Sequence, residues 1–229
     1  MKFAVMQPYI FPYLGYYQLV SAVDNFVFYD DVTFIKGGYI NRNHILSNGV
    51  AQRFTIPVPG MSSNTLINKL SFDKNIIKIL KTIQQSYSRS PYFKEIYPLV
   101  EFVLTSENRS VDYICAKSIT EIFSYLGVDK SFFFSRDLEY QRDLSAADKL
   151  ISMAKVLNSY DYINSPGGKS LYDKEYFLKH NVNLSFIEID EYIYNQNSEK
   201  FIPHLSIIDV LMWNSKVDVL KLLTKYRLV

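Results

Sequence analysis

One cysteine in 229 residues, Cys115, leaves no partner for an intramolecular disulfide and fits a reducing compartment. Its apolar surroundings read as helix packing. With only three histidines beside that thiol, a dedicated zinc centre is not expected, and no motif names a cofactor. No apolar run reaches roughly 18 residues, so membrane insertion is not expected. Charge of one sign is also scarce. The 25 basic and 23 acidic side chains leave a net +2, too weak a global field to imply nucleic acid or an anionic membrane as partner. The opening MKFAVMQPYIFPY is a short apolar run, and Pro8 and Pro12 break any signal-peptide helix, so the chain is expected to begin with a strand and to stay in the cytoplasm.

What is abundant is tyrosine and phenylalanine, 19 and 16 residues. Hydrophobic residues at 48% against 21% charged place the chain among packed globular proteins rather than disordered or fibrous ones. Tyrosine joins an apolar ring to a hydroxyl that needs a partner, so this excess implies polar-lined clefts besides the core.

Periodicity gives a strand at residues 2–6, a helix over 15–23 and a strand at 25–29, a βαβ unit whose ligand side is the carboxyl end of its strands. Gln7 and Asp30 then share one rim. A turn-rich segment follows, with Gly37-Gly38 and Asn48-Gly49 bracketing a short run, and then a strand over 53–58 ending at Pro57 and Pro59. Helical spacing recurs over 75–87, 92–104 and 110–126, with Gly127 as a carboxyl-terminal stop. Strands at 131–134, 160–163 and 183–187 alternate with helices at 146–157 and 171–179, and two helices close the chain at 207–213 and 217–226. With no internal repeat or low-complexity linker, the expectation is one α/β domain over 1–229. It would hold a Rossmann-like, mostly parallel sheet with helices on both faces and a helical insertion at about 74–127.

Four stretches could carry chemistry. In the first loop two prolines restrict the backbone before Tyr13-Leu14-Gly15-Tyr16, and Gly15 permits close approach at a helix start suited to an anion. The alternative is an aromatic hinge. The second stretch is Asp30-Asp31, Lys36 and Asn41-Arg42-Asn43-His44. A strand-end Asp30 or the imidazole of His44 could take a proton, Lys36 and Arg42 suit phosphate, and the Asn41 and Asn43 amides suit a sugar or a base edge. If strand geometry continues, only one of the two aspartates faces a ligand. Structural capping and ordinary packing compete for Asp30 and His44.

The third stretch runs from Asn164 to Tyr172, where Gly167 and Gly168 expose backbone N–H groups and Ser170 can cap the next helix. Its GGKS is not a P-loop, because Ile163 stands where the first glycine belongs. The fourth, His204 to Asp209, reads chiefly as an N-cap at Ser206 with an acidic capping-box partner at Asp209. No Gly-x-Ser-x-Gly elbow supports a serine hydrolase.

The first loop resembles that of the nucleotidyltransferase and pantothenate-synthetase superfamily, which carries His-x-Gly-His there. Tyrosines replace both histidines here and cannot supply an imidazolium, which argues against adenylyl transfer. More of the chain resembles the WbqC-like family, through QPYIFPYLGYYQLVSAVDNFVFYDDVTFIKGGYINRN, YDYINSPGGKSLYD and FIPHLSIIDVLMWNS. That resemblance implies sugar-related chemistry in bacterial surface-polysaccharide synthesis, such as O-antigen or lipopolysaccharide. With the polar loops, it leads to the expectation of a transferase acting on a nucleotide-linked amino sugar, with N-acyl or aminoacyl transfer as the specific form. Nucleotidyl or glycosyl transfer and a non-catalytic binding or assembly role are the alternatives.

Overall fold

A computed structural model describes residues 1–229. Six strands form the main sheet in the order β5-β2-β1-β6-β7-β8. They are β1 (Lys2–Met6), β2 (Asn25–Phe28), β5 (Ser131–Phe134), β6 (Asp161–Asn164), β7 (Asn183–Ile189) and β8 (Tyr226–Leu228). The first five are parallel and β8 runs antiparallel to β7. Counted among the strands of this sheet alone, the order is 3-2-1-4-5-6, the doubly wound arrangement of the Rossmann fold. Strand order therefore reverses between β1 and β6, and a crevice opens beyond their carboxyl ends.

Both faces of the sheet are covered, and the strand sequences alternate accordingly. Ala4, Phe26, Phe28, Ile163 and Ile187 enter a core of 51 buried residues on one face. Phe3, Val5, Val27, Tyr162, Leu184 and Phe186 enter a core of 14 on the other. This is the two-residue period of side chains on a pleated strand, with both sides dry. The smaller core is closed by α5 (Ala146–Val156) and α6 (Lys174–Lys179). The larger one is closed by α1 (Leu14–Ser21), α7 (Ile207–Trp213), α8 (Lys216–Leu223) and the inserted α2 (Ile77–Tyr87), α3 (Phe93–Leu104) and α4 (Val111–Leu126). The insertion shares its core with the sheet: Ile114, Cys115 and Ile119 of α4 belong to the cluster that holds Ala4 and Phe26. Gly127 ends α4 at φ 72°, as its position implies.

Several elements differ from the periodicity reading. The run between Gly38 and Asn48 is strand β3 (Arg42–Ser47), which pairs only with β4 (Val50–Thr55) in a separate hairpin. Asn48 and Gly49 turn it with φ 50° and 75°, the positive pair that a two-residue hairpin turn demands. The strand expected at 53–58 thus begins at Val50 and stops before Pro57. The helix expected from Leu171 is a 3-10 turn (Pro166–Ser170) and then α6, whose cap is Asp173, accepting from Glu175 N, instead of Ser170. The last helix ends at Leu223, and the three residues of β8 are too few to show a period.

Candidate functional site

A cavity of about 750 Å³ lies at the reversal point, beyond the carboxyl ends of β1, β6 and β7. The first loop supplies Tyr9 and Tyr13, the approach to the hairpin supplies Tyr39 and Asn43, and the turn after β6 supplies Pro166. The opposite wall is the segment between β7 and α7, through Ile189–Ile193, Phe201, Pro203 and His204. A smaller apolar chamber of about 130 Å³ shares Tyr9, Tyr13, Pro166 and Ile189 and adds Met6, Gly15, Tyr16 and Ile187 at the end of the sheet.

The first loop is held from three directions. Phe11 has φ 40°, an expensive left-handed conformation for a bulky residue, and it persists because its backbone is fully engaged. Phe11 N donates to Ser118 Oγ of α4 at 3.0 Å. Phe11 O accepts from Asn43 Nδ2 at 2.6 Å and from Ser206 Oγ at 2.8 Å. The tyrosines on either side of Phe11 are therefore presented on a rigid support, as pre-organised binding requires.

Their rings form an edge-on array. Tyr9 meets Tyr16 in a T-shape at 5.1 Å and Tyr39 at 6.2 Å, while Tyr13 meets the His204 ring at 5.8 Å. Burial pushes the Tyr9 and Tyr13 phenols above their ordinary range, and the neighbouring Tyr13 and Tyr39 add to the rise at Tyr9. Burial, with Tyr13 beside it, pushes Tyr192 up to about 12. At neutral pH all three keep their protons and offer hydrogen-bond donors beside apolar ring faces. The acidic side chains on the wall are Asp190 and Glu191.

The residues singled out from sequence divide into three groups. Tyr13, Gly15, Tyr16 and Asn43 line the two connected cavities. A Cβ on Gly15 would run into Ile189 Cδ1 and the Tyr13 ring, so the close approach it permits is that of these side chains. Tyr16 is buried and its hydroxyl donates to Gln7 O at 3.1 Å, which ties helix start to strand end. Asn43 spends its amide on Phe11 O and Ile10 O and its carbonyl on His44 N, acting as much on the loop as on the cavity.

A second group lies outside the residues that line the two cavities, on the hairpin and the turn before it. Lys36 is exposed on the turn before Tyr39, and the Arg42 guanidinium lies over Gly37. Arg42 and His44 are two apart on β3 and so share a face of the hairpin, with Arg53 opposite His44 on β4. Burial, then Arg53 and Arg42, holds the His44 imidazole below its ordinary range, which leaves it neutral and able to accept a proton at pH 7. Its ring is 6.4 Å from that of Tyr39.

The third group is engaged elsewhere. Asp30 is completely buried, with Oδ2 on Arg136 Nη1 at 2.5 Å and Oδ1 accepting from Arg136 N at 3.1 Å. Burial raises its carboxyl above the ordinary range, against the pull of Arg136 and Ser135. The same Nη1 pairs with the buried Asp112 of α4. Asp31 does not turn to the opposite face: both aspartates contact the Ser135 hydroxyl, and Asp31 is held by Tyr140 and Arg142. The chain has already left strand geometry there, so alternation no longer applies. Asn41 donates to Ile56 O at 2.9 Å within the hairpin. Asn164 accepts from Ser165 N at 2.7 Å, and its amide fills the space that a Cβ on Gly168 would need. Gly167 is exposed, and Tyr172 packs edge-on against Phe177 over the smaller core.

The sequence puts Tyr9 in the first candidate loop and His204 at the head of the fourth stretch without pointing to either as a ligand contact, and nothing in it singles out Tyr39 or Tyr192. The signal was present in the 17 residues from 190 to 206, a long stretch without regular structure that nonetheless carries Tyr192, Tyr194 and Phe201. Long irregular loops in compact domains are commonly functional.

Strand order, covered faces and an aromatic crevice at the reversal point define an α/β protein of Rossmann type with a cleft beyond the carboxyl ends of its strands. Residues 7–220 match the WbqC-like protein family, and the chain belongs to it. It is 26% identical over 218 residues to a Mycobacterium tuberculosis (strain ATCC 25618 / H37Rv) protein described as "Uncharacterized protein Rv1507c", with 92% of each chain covered. No solved structure matches. No helix is long and apolar enough to cross a membrane.

Proposed function

We propose that this protein is a transferase acting on a nucleotide-activated amino sugar in surface-polysaccharide synthesis, with the sugar nucleotide held in the aromatic crevice. The observation that carries the reading is the crevice wall itself, in which Tyr9, Tyr13, Tyr39 and Tyr192 surround one volume at the strand reversal. Tyrosine faces suit a base or a pyranose ring, and their protonated hydroxyls suit its oxygens. Asp190 and Glu191 suit sugar hydroxyls or a protonated amine. Lys36 and Arg42, which flank Tyr39 on the turn and the hairpin, suit the diphosphate, with the planar Arg42 fork able to grip two oxygens.

In an N-acyl transfer, the sugar amine attacks the acyl carbon of an activated donor. The nitrogen loses its proton to a neutral imidazole, and the donor's leaving group departs with its electron pair. His204 on the cavity wall is the first candidate acceptor, and His44, whose ring lies 6.4 Å from that of Tyr39, is the second. Asp30, already committed to Arg136, acts in this reading as an anchor for the β2 and β5 ends.

Calorimetric titration with a panel of nucleotide sugars tests the reading. Binding is expected to weaken at least about tenfold in both Tyr13→Ala and Arg42→Ala, the loss of one well-made contact in each case. Failure of every nucleotide sugar to bind, or identical affinities in both variants, would remove it.

A further inference from the structure

One face of the hairpin carries positive charge that the protein itself does not use. Side chains alternate along β3, so Arg42 and His44 share a face, and Arg53 joins them there from its place opposite His44 on β4. The other face is spent on the core through Asn43, Ile45 and Phe54, all buried. No carboxylate answers the two arginines. Arg109, Arg136, Arg142 and Arg227 each give their guanidinium to a carboxylate or to backbone carbonyls, whereas Arg42 and Arg53 make no side-chain hydrogen bond or ion pair within the protein.

Both guanidiniums act on the half-buried His44 between them, and together with burial they hold its imidazole below the ordinary range. Like charges that meet across a strand pair repel, and nothing on this face relieves them. A bound anion would. Guanidinium forks match phosphate oxygens two at a time, and a neutral imidazole adds an N–H donor. The Arg42 guanidinium also lies beside Gly37, the neighbour in sequence of Lys36.

A single ring joins this face to the aromatic crevice. Tyr39 stands 6.4 Å from the His44 ring and 6.2 Å from that of Tyr9, and both tyrosines line the crevice. The crevice lining itself includes Asp190 and Glu191 but no lysine or arginine. A ligand made of a ring and a diphosphate therefore has one orientation that suits its charge, with the ring among the tyrosines and the phosphates out on the hairpin.

From this we infer that Arg42 and Arg53, with His44 between them, form a diphosphate clamp in which Arg53 is the second arm. The clamp rests on the function proposed above for the identity of its ligand, a sugar nucleotide, but not for its affinity for the diphosphate group. His44 is committed to a phosphate oxygen in this arrangement, which leaves His204 on the crevice wall to take the amine proton.

Inorganic pyrophosphate alone tests the clamp, followed at the His44 ring by NMR. Saturable binding is expected, and the His44 pKa should move upward in the complex because the anion opposes the field of the two arginines. Arg42→Gln and Arg53→Gln should each weaken pyrophosphate binding at least about tenfold, the loss of one charge-assisted hydrogen bond. Arg53→Lys keeps the charge and loses the fork, so its affinity should fall between wild type and Arg53→Gln. Lys155→Gln removes an exposed charge from α5, over the smaller core, and should leave binding unchanged. No saturable shift at His44, a His44 pKa unmoved in the complex, or equal losses in Lys155→Gln and Arg53→Gln would overturn the clamp. Pyrophosphate binding without binding of any nucleotide sugar would sink the function proposed above and leave the clamp standing. Nucleotide-sugar affinity that is indifferent to Arg53→Gln would do the reverse.

Discussion

Tyr194 donates its phenol proton to Asp209 across a 2.8 Å bond in the protein interior, and through that contact the irregular segment 190–206 is fastened to α7. The carboxylate has no cationic partner: Tyr87 and Gln196 complete its coordination from the other elements it joins. A charge held by neutral donors alone makes each donor count, because removing one leaves a larger share of the desolvation cost uncompensated.

Tyr194→Phe is therefore expected to lower the unfolding free energy by about 1.5–3 kcal/mol, the range for a hydrogen bond to a charged group. Amide exchange should rise over 190–206 and stay near wild type in β1 and β6. Uniform protection changes across the chain would contradict a local fastening role.

Burial pushes the Asp209 carboxyl above the ordinary carboxylate range, outweighing the opposite pull of Tyr194, Tyr87 and Gln196. The folded chain then holds this proton more tightly than the unfolded chain. The corresponding stability is fully present below the unfolded carboxyl's pKa and is lost as pH rises through the higher folded value. The stability advantage of wild type over Asp209→Asn should accordingly widen on acidification through that window. Urea denaturation of both proteins across it measures this, and an advantage that narrows would reverse the sign.

Arg136 holds Asp30 and Asp112, both buried, while its own side chain is 38% exposed. Arg136→Ala strands two carboxylates, a change that costs about 3–5 kcal/mol for buried pairs. Water reaching the arginine favours the lower end. The double variant Arg136→Ala/Asp112→Asn should recover part of the loss, as read by chemical denaturation; equal stability of the single and double variants would be inconsistent with an uncompensated charge.

The guanidinium of Arg53 opposite His44 helps hold the imidazole below its ordinary range, second to burial. Arg53→Gln should raise the His44 pKa in an NMR titration. An unmoved His44 would remove Arg53 as a cause and leave burial and Arg42.

Gly15→Ala forces a methyl group against Ile189 and Tyr13, an overpacking worth about 1–3 kcal/mol. Because both neighbours line the crevice, ligand affinity there should fall along with stability. Restored affinity in Gly15→Ala/Ile189→Val would tie the two effects to the same contact.

How much of this was legible depends on the range of the interactions involved. The sheet strands and long helices follow from local period, so β5 at 131–134 and α7 at 207–213 fall where the pattern puts them. The hairpin was harder. β3 opens on Arg42-Asn43-His44, a polar run whose alternation is weak, and what makes it a strand is pairing with β4 and the Asn43 bonds to the first loop. Likewise Asp30 looks like a rim acid in sequence, but its partners, Ser135 and Arg136, lie 105 and 106 positions away.

Hydrophobic period and composition act locally, and they suffice for an α/β chain with two dry strand faces, a tyrosine-rich first loop at a strand end and one unpaired thiol. Which tyrosines share a cavity, that Asp30 is buried against Arg136, and that Asp209 ties α2 and the segment 190–206 to α7 come instead from contacts made only in the folded chain. Those outcomes depend on desolvation and on hydrogen bonds between residues far apart in the chain, whose strength exists only once the fold has excluded water from them.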